Sequence, residues 1–111
     1  MPRLVKTPSE IAKIAAAGKI LAAVMREVAG LVRPGVSLSL LDDAAYRLIT
    51  EAGAKPAFLG YRPSGSARAY PASICASLND VVVHGVPSGR ILREGDVLKL
   101  DFGLKRGGFF T

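Results

Sequence analysis

One aspartate, set inside the most strand-like stretch of the chain, limits the possible folds more than any other residue. From Asp96 to Leu104 the sequence reads DVLKLDFGL. In a strand, alternate residues share a face. Leu98, Leu100, Phe102 and Leu104 then form one apolar face, and Val97, Lys99, Asp101 and Gly103 form the other. The apolar face needs a covering layer, and Asp101 must point away from it. Two readings of Asp101 stay open on the pattern alone. Its face is solvent, with Lys99 and Asp101 as ordinary surface polar residues. Or its face is the floor of a cleft, with Asp101 as a metal ligand or general base and with Gly103, Gly107 and Gly108 clearing space for a substrate.

The covering layer is written in the first half of the sequence. Thr7-Pro8-Ser9-Glu10 is a helix start: Thr7 can cap, Pro8 suits the first turn and Glu10 can close a capping box. Ile11, Ile14, Leu21, Met25, Val28 and Val32 recur at a helical period. Gly18 lies on the same stripe, which implies close approach of another backbone. Pro34 and Gly35 require a stop near Arg33, so the first helix is expected over about 8–33. Ser37 or Ser39 can cap a second helix over about 38–52. Asp42 and Asp43 would favour its first turn, Leu41, Ala44, Ala45, Leu48 and Ile49 would form its buried face, and Gly53 would end it. The short VRPGVS link makes the two helices antiparallel neighbours.

From Pro56 the period shortens. Ala57-Phe58-Leu59 reads as a short strand and Arg62 to Arg68 as a polar loop. Ile74 to Leu78 and Val81 to Val83 read as strands about a turn at Asn79-Asp80. Pro87-Ser88-Gly89 breaks the chain again. The strand from Asp96 to Leu104 follows, then Lys105-Arg106-Gly107-Gly108 as a hairpin turn into Phe109-Phe110-Thr111. Helices first, with strands from about 57 onward, is the order of an α+β domain: two antiparallel helices on one face of a mainly antiparallel sheet.

A chain of 111 residues, 50% of them apolar, can build one such core. The net charge of +6 comes from scattered basic residues such as Arg3, Lys6, Lys13 and Arg33. Aromatics do not interleave with them, so specific nucleic-acid binding is not expected. The only cysteine, Cys75, allows neither an internal disulfide nor a Cys-rich zinc site, and it fits a reducing cytoplasm. MPRLVKTPSEI lacks the apolar core of a signal peptide. No run approaches the ~18 apolar residues of a membrane span, so no membrane partner is expected. The only histidine, His84, precedes Gly85. It is either a loop residue or an imidazole that hydrogen-bonds a substrate carbonyl or changes state near neutral pH. Gly85 would let its backbone approach something closely.

Four stretches, taken in order, resemble one family: the type I methionyl aminopeptidases of the pita-bread fold. KTPSEIAKIAAAGKI is similar to the family's opening helix, and VRPGVSLSLLD to its link into the next. FLGYRPSGSARAYPASICASLNDVVVHGVPS resembles the pocket segment, and LREGDVLKLDFGLKRGGFFT the strand pair holding the first metal aspartates. The resemblance runs nearly end to end. It implies the N-terminal half of a pita-bread fold, as a single partial domain over 1–111. For the complete protein it implies metal-dependent removal of initiator methionine from nascent proteins in the cytoplasm. In such hydrolysis two divalent ions (Co, Mn, Fe or Zn) activate a water and polarise the carbonyl. Asp101 corresponds to the first metal-binding aspartate. His84 corresponds to the histidine near the scissile amide, which binds substrate and serves catalysis. Tyr61, Tyr70, Phe58 and Cys75 correspond to positions lining the methionine side-chain pocket, where a soft apolar wall suits a thioether. There are departures. The loop between Tyr61 and Tyr70 is longer than in common members, Phe58 stands where a smaller residue or Cys is usual, and Asp80 replaces a Glu.

The resemblance also sets an expectation about ligands. The family's second metal aspartate lies in the pattern Gly-Phe-x-x-Asp, and Thr111 stands one residue short of it. A further histidine and two glutamates of the family's ligand set have no counterpart here. One carboxylate cannot hold two ions, so the 111 residues alone are expected to bind no metal tightly and to be inactive. A half-fold would expose an apolar cleft face and a strand edge. The favoured expectation is a truncated chain that folds poorly or aggregates, and the alternatives are pairing with a C-terminal half or a twofold pairing with a second copy. Peptides with N-terminal methionine are the implied substrates, and the ribosome stays open as a partner of the complete protein. A different class also remains: a non-catalytic pita-bread module that binds protein or RNA. Proline-specific relatives share the fold, but KTPSEI and VVVHGVPS favour the methionine branch.

Overall fold

A computed structural model describes residues 5–62 and 68–111. Helix α1 spans Pro8–Gly30 and α2 spans Leu38–Glu51. Five short strands follow: β1 Lys55–Pro56, β2 Cys75–Leu78, β3 Leu98–Asp101, β4 Leu104–Arg106 and β5 Phe109–Phe110. Arg3 and most of the polar loop expected over Arg62 to Arg68 lie outside the described residues.

The capping box at α1 forms as read. The Glu10 amide donates to Thr7 Oγ1 at 3.1 Å, and the Thr7 amide donates to Glu10 Oε1 at 2.9 Å. The helix ends at Gly30 rather than near Arg33. Past Gly30 the ladder tightens to three-residue closures, Leu31 N to Val28 O at 3.0 Å and Val32 N to Ala29 O at 3.1 Å, so the helix is finished before Pro34 acts. The buried face is Ala17, Val24 and Val28, flanked by Ile14, Leu21 and Met25; Ile11 and Val32, the ends of the expected stripe, are exposed. Gly18 meets no foreign backbone: a β-carbon there would make an ordinary 3.5 Å contact with Thr111 Oγ1.

Ser37 is the N-cap of α2, accepting from Leu40 N at 3.1 Å. That register puts Asp42 and Asp43 beyond the first turn, so the expected helix-dipole role falls away. Gly53 ends the helix as read, with φ of 78°. Ala54 N to Ile49 O at 3.1 Å and Gly53 N to Thr50 O at 3.0 Å are the two bonds of a Schellman cap. Leu41, Ala45 and Ile49 are fully buried and join Val28, Ile74 and Leu104 in the core between helices and strands.

The α+β class and the antiparallel pairing hold, and the strand layer is divided. One sheet has the order β1-β4-β5, the other is β2-β3, and every pair is antiparallel. The stretch read as one strand from Asp96 to Leu104 therefore serves both sheets, breaking at Phe102 and Gly103. Gly103 is the reason it can: a β-carbon there would collide with the Thr111 carbonyl oxygen. Its space is taken by backbone, not by a substrate. Gly107 and Gly108, with φ of 58° and 86°, form the two-residue turn joining β4 to β5. They too have a structural task.

Two other strand expectations shift. The first strand is Lys55–Pro56, not residues 57–59, because Tyr61 N bonds Phe58 O at 2.9 Å and closes a turn there. Val81 to Val83 form no strand and are exposed. β2 takes β3 as its partner, and its other edge is taken by Gly85, whose carbonyl accepts from Ala76 N at 2.7 Å.

Two glycine substitutions test these assignments by urea unfolding. Gly53→Ala meets open space but forces a left-handed backbone, and is expected to cost about 1 kcal/mol. Gly103→Ala must displace the Thr111 backbone and is expected to cost about 2 kcal/mol or more. Equal costs would show that the β3–β4 break does not depend on the close approach at Gly103.

Candidate active site

The register of β2 on β3 pairs Cys75 with Asp101, Ala76 with Leu100, Ser77 with Lys99 and Leu78 with Leu98. Directly opposed residues project to the same side of a sheet. Asp101 thus stands beside Cys75, which is buried at 4% exposure. Cys75 lines a cavity of about 760 Å³, and Phe58, Tyr61, Tyr70 and His84 line it too. Every pocket residue named from the sequence meets at this one cavity. Asp101 is exposed and sits across the strand pair from Cys75 rather than in the cavity wall. Its face is therefore the cleft side of the pair as well as a solvated one.

Local bonding places each wall residue. Tyr61 and Tyr70 are the two legs of a loop: Tyr70 N donates to Tyr61 O at 2.6 Å, and Gly60 N to Tyr70 O at 2.9 Å. Phe58 meets the Tyr70 ring edge-to-face, with centroids 6.3 Å apart. The Tyr70 hydroxyl donates to Ile74 O at 2.8 Å, with Gly85 O at 3.4 Å. Burial raises the phenol's pKa well above its ordinary value, and Cys75 and the carboxylates of Asp42 and Asp101 add to the effect. Tyr70 is thus held as a neutral hydrogen-bond donor.

His84 has φ of 59°, in the left-handed region that costs a residue with a β-carbon roughly 1 kcal/mol. The conformation is imposed from both sides. Gly85 lies against β2 so closely that a β-carbon would strike the Ala76 carbonyl and stand 2.9 Å from Ser77 Cα. Gly85 N also donates to Ser77 Oγ at 3.0 Å. The close backbone approach read from His-Gly is made to β2. The loop's two feet are held by one carboxylate. Asp96 accepts from Arg90 Nη1 at 2.8 Å, from Arg93 N at 2.8 Å and from Asn79 Nδ2 at 3.1 Å. At the loop's second foot, Ser88 O and Arg90 O accept from Ser39 N and Leu38 N, satisfying amides of the first turn of α2.

Sequence reading missed some of the wall. Phe110 of β5 lines the cavity, as do Arg68 and Pro71. Phe110 was findable: adjacent strand residues face opposite sides, so one of Phe109 and Phe110 had to face away from the helices. Asn79 and Asp96 were read only as turn and strand positions, because the bond between them spans 17 residues.

The fit of a metal is partial. A divalent cation needs several oxygen or nitrogen ligands around it. Among the described residues no three His, Cys, Asp or Glu side chains converge to hold one. Asp101 can be one ligand of a set and not a site by itself.

The model of one family, described as metallopeptidase family M24, matches residues 12–111. The chain belongs to metallopeptidase family M24. A methionine aminopeptidase of Aquifex aeolicus is 48% identical over 101 residues, which are 90% of this chain and 39% of that protein. The crystal structure of methionine aminopeptidase from Rickettsia prowazekii matches with a TM-score of 0.88 at 33% identity, over 99% of this chain and 42% of that one. The methionine aminopeptidase structure from Thermotoga maritima matches with a TM-score of 0.86 at 36% identity, again over 42% of its length. The pita-bread arrangement is thereby shown for the matched part, and the chain spans about two fifths of the length of these M24 relatives. Among the described residues no helix is long and apolar enough to cross a membrane.

The Asp96 anchor predicts a pH dependence. The Arg90 hydrogen bond first, then the Arg93 amide and Asn79, hold this carboxyl below the usual carboxylate range in the folded state. A lowered folded pKa contributes stability that is complete above the unfolded value of about 3.9 and is lost as pH falls through the folded value. The thermal midpoint of the native sequence should exceed that of Asp96→Asn at pH 7, and the gap should shrink progressively below about pH 4. A gap that widens on acidification would contradict the anchor.

Proposed function

We propose that the complete protein is a methionyl aminopeptidase of the M24 family, and that this chain, a single partial domain, contributes its methionine pocket. One observation carries the reading. Phe58, Tyr61, Tyr70, Cys75 and His84 converge on a cavity of about 760 Å³, with Asp101 paired across from Cys75.

The wall at Phe58, Tyr70, Cys75 and Phe110 offers ring faces and a thiol to an unbranched thioether. Burying a methionine side chain there contributes roughly 1.5–3 kcal/mol. A charged or β-branched residue would lose that contribution or clash. The Tyr70 hydroxyl is already bonded to Ile74, so this phenol does not compete for the thioether. His84, exposed at the edge of this wall, presents an imidazole able to donate to or accept from the peptide bond. Asp101 supplies a single carboxylate on the same side of the strand pair. Divalent ions (Co, Mn, Fe or Zn) belong to the complete site, where they supply Lewis-acid chemistry. The substrates are nascent proteins with N-terminal methionine, met in the cytoplasm at or near the ribosome. The free thiol of Cys75 is compatible with that compartment.

Peptide hydrolysis tests the reading. The complete protein is expected to release methionine from Met-Ala-Ser, to lose the activity to a chelator and to regain it with added divalent metal. The 111-residue chain alone is expected to release none. His84→Asn keeps a residue that tolerates the left-handed backbone and should lower kcat by about 100-fold with little change in melting temperature. Peptide binding by the complete protein without metal-dependent cleavage would instead establish a non-catalytic module.

A further inference from the structure

We infer that Asp42, on helix α2 and outside the cavity wall, is the positioning residue that fixes the Tyr70–Cys75 side of the pocket. The inference rests on the proposed function for its substrate, but its geometry stands without it. Asp42 Oδ1 accepts from two successive amides, Ser73 N at 2.8 Å and Ile74 N at 3.1 Å. These two residues lead into β2 and are buried, Ser73 at 2% and Ile74 at 0% exposure. A buried amide without an acceptor is costly, and a carboxylate is a stronger acceptor than a neutral oxygen.

The same residue is gripped on its other side. Ile74 O accepts the Tyr70 hydroxyl at 2.8 Å. Ile74 is therefore a link: its amide is held by a carboxylate from α2, its carbonyl by a phenol of the pocket. Cys75 is the next residue along and faces the cavity. At the other end Asp42 follows Leu41, which is fully buried, so the carboxylate is carried on an anchored turn of helix. A run of contacts thus joins the helix layer to the substrate side of the strands, and it passes through one oxygen atom. Removing that atom leaves two buried amides to find water. The segment from Ser73 to Cys75 then loses its tether to α2 and shifts toward solvent, which draws Ile74 O away from Tyr70 and opens the wall.

The test uses Asp42→Asn and Asp42→Ala in the complete protein. Asn keeps an acceptor oxygen without the charge, and Ala keeps neither. The first readout is native-state alkylation of Cys75 by iodoacetamide, followed on the Cys75 peptide by mass spectrometry. Cys75 should label faster by about threefold in Asp42→Asn and about tenfold in Asp42→Ala, since labelling of a buried thiol follows local opening. The second readout is steady-state hydrolysis of Met-Ala-Ser. KM should rise in the same order while kcat changes by less than about twofold, the pattern of lost ground-state binding. Wild-type labelling in Asp42→Ala overturns the inference, and so does equal labelling of the two variants, which would mean the acceptor oxygen is irrelevant. If Asp42→Ala does not fold, Asp42→Asn decides: threefold faster labelling supports the role, and unchanged labelling overturns it. Graded labelling in a protein that releases no methionine would keep the positioning role and sink the substrate assignment. Methionine release with flat labelling and flat KM would do the reverse.

Discussion

The site depends on the register of one short antiparallel pair. β2 and β3 match over four positions, and Cys75 faces Asp101 only in that alignment. A slip of one residue would exchange the faces, sending Asp101 and Lys99 toward the helices and Leu98 and Leu100 into the cleft. Two features forbid it. The apolar face of the pair packs on the core, with Leu100 opposite Ala76 and Leu98 opposite Leu78. And the open end is pinned by side chain as well as backbone, with Asn79 N bonded to Val97 O at 2.8 Å and Val97 N to Asn79 Oδ1 at 2.9 Å. Asn79 accepts φ of 52° there, which its type tolerates better than most.

Helix α2 is the frame on which the rest of the site hangs. Its first amides bond to Ser88 O and Arg90 O, which fixes the far foot of the His84 loop. Its second turn carries Asp42 to the entry of β2. Its Schellman cap delivers the chain into β1 and then to Phe58. Burial of Leu41, Ala45 and Ile49 holds the helix, and the polar groups at its N-terminus and on its second turn then hold the site. Apolar contacts supply the rigidity here, while hydrogen bonds supply the aim.

How much of this could be read from the residues follows from distance along the chain. The capping box and the Gly53 stop depend on neighbours within a turn and were legible, and the α2 cap was narrowed to Ser37 or Ser39, of which Ser37 serves. So was the alternation that sends Asp101 away from the helices. The break at Gly103 was not, because its cause is Thr111 returning through a hairpin. Val81 to Val83 have strand propensity, but the edge of β2 that they would need belongs to Gly85. Asp42 was given a helix-dipole role for want of the register of α2, and its true partners lie 31 and 32 residues away. His84 and Asp101 remained ambiguous singly. It was the resemblance, not spacing, that named the pocket residues, and the fold then brought them to one cavity.

The wall and the carboxylate differ in a way that bears on how such a site works. The wall is internally satisfied: Tyr70 donates to Ile74, Gly85 bonds to β2, and no buried side-chain polar atom among the described residues lacks a partner. A wall of that kind selects by shape and dispersion, and it is formed before any ligand arrives. Asp101 is the reverse case, an exposed carboxylate whose charge is still solvated. Desolvating it is worthwhile only when cations and further ligands surround it. The cavity wall is thus set by the short-range bonding of this chain, whereas Asp101 would gain a chemical role only with groups brought to it. That asymmetry is why the proposed substrate pocket can be argued from these residues, while the proposed metal centre would take only one carboxylate from them.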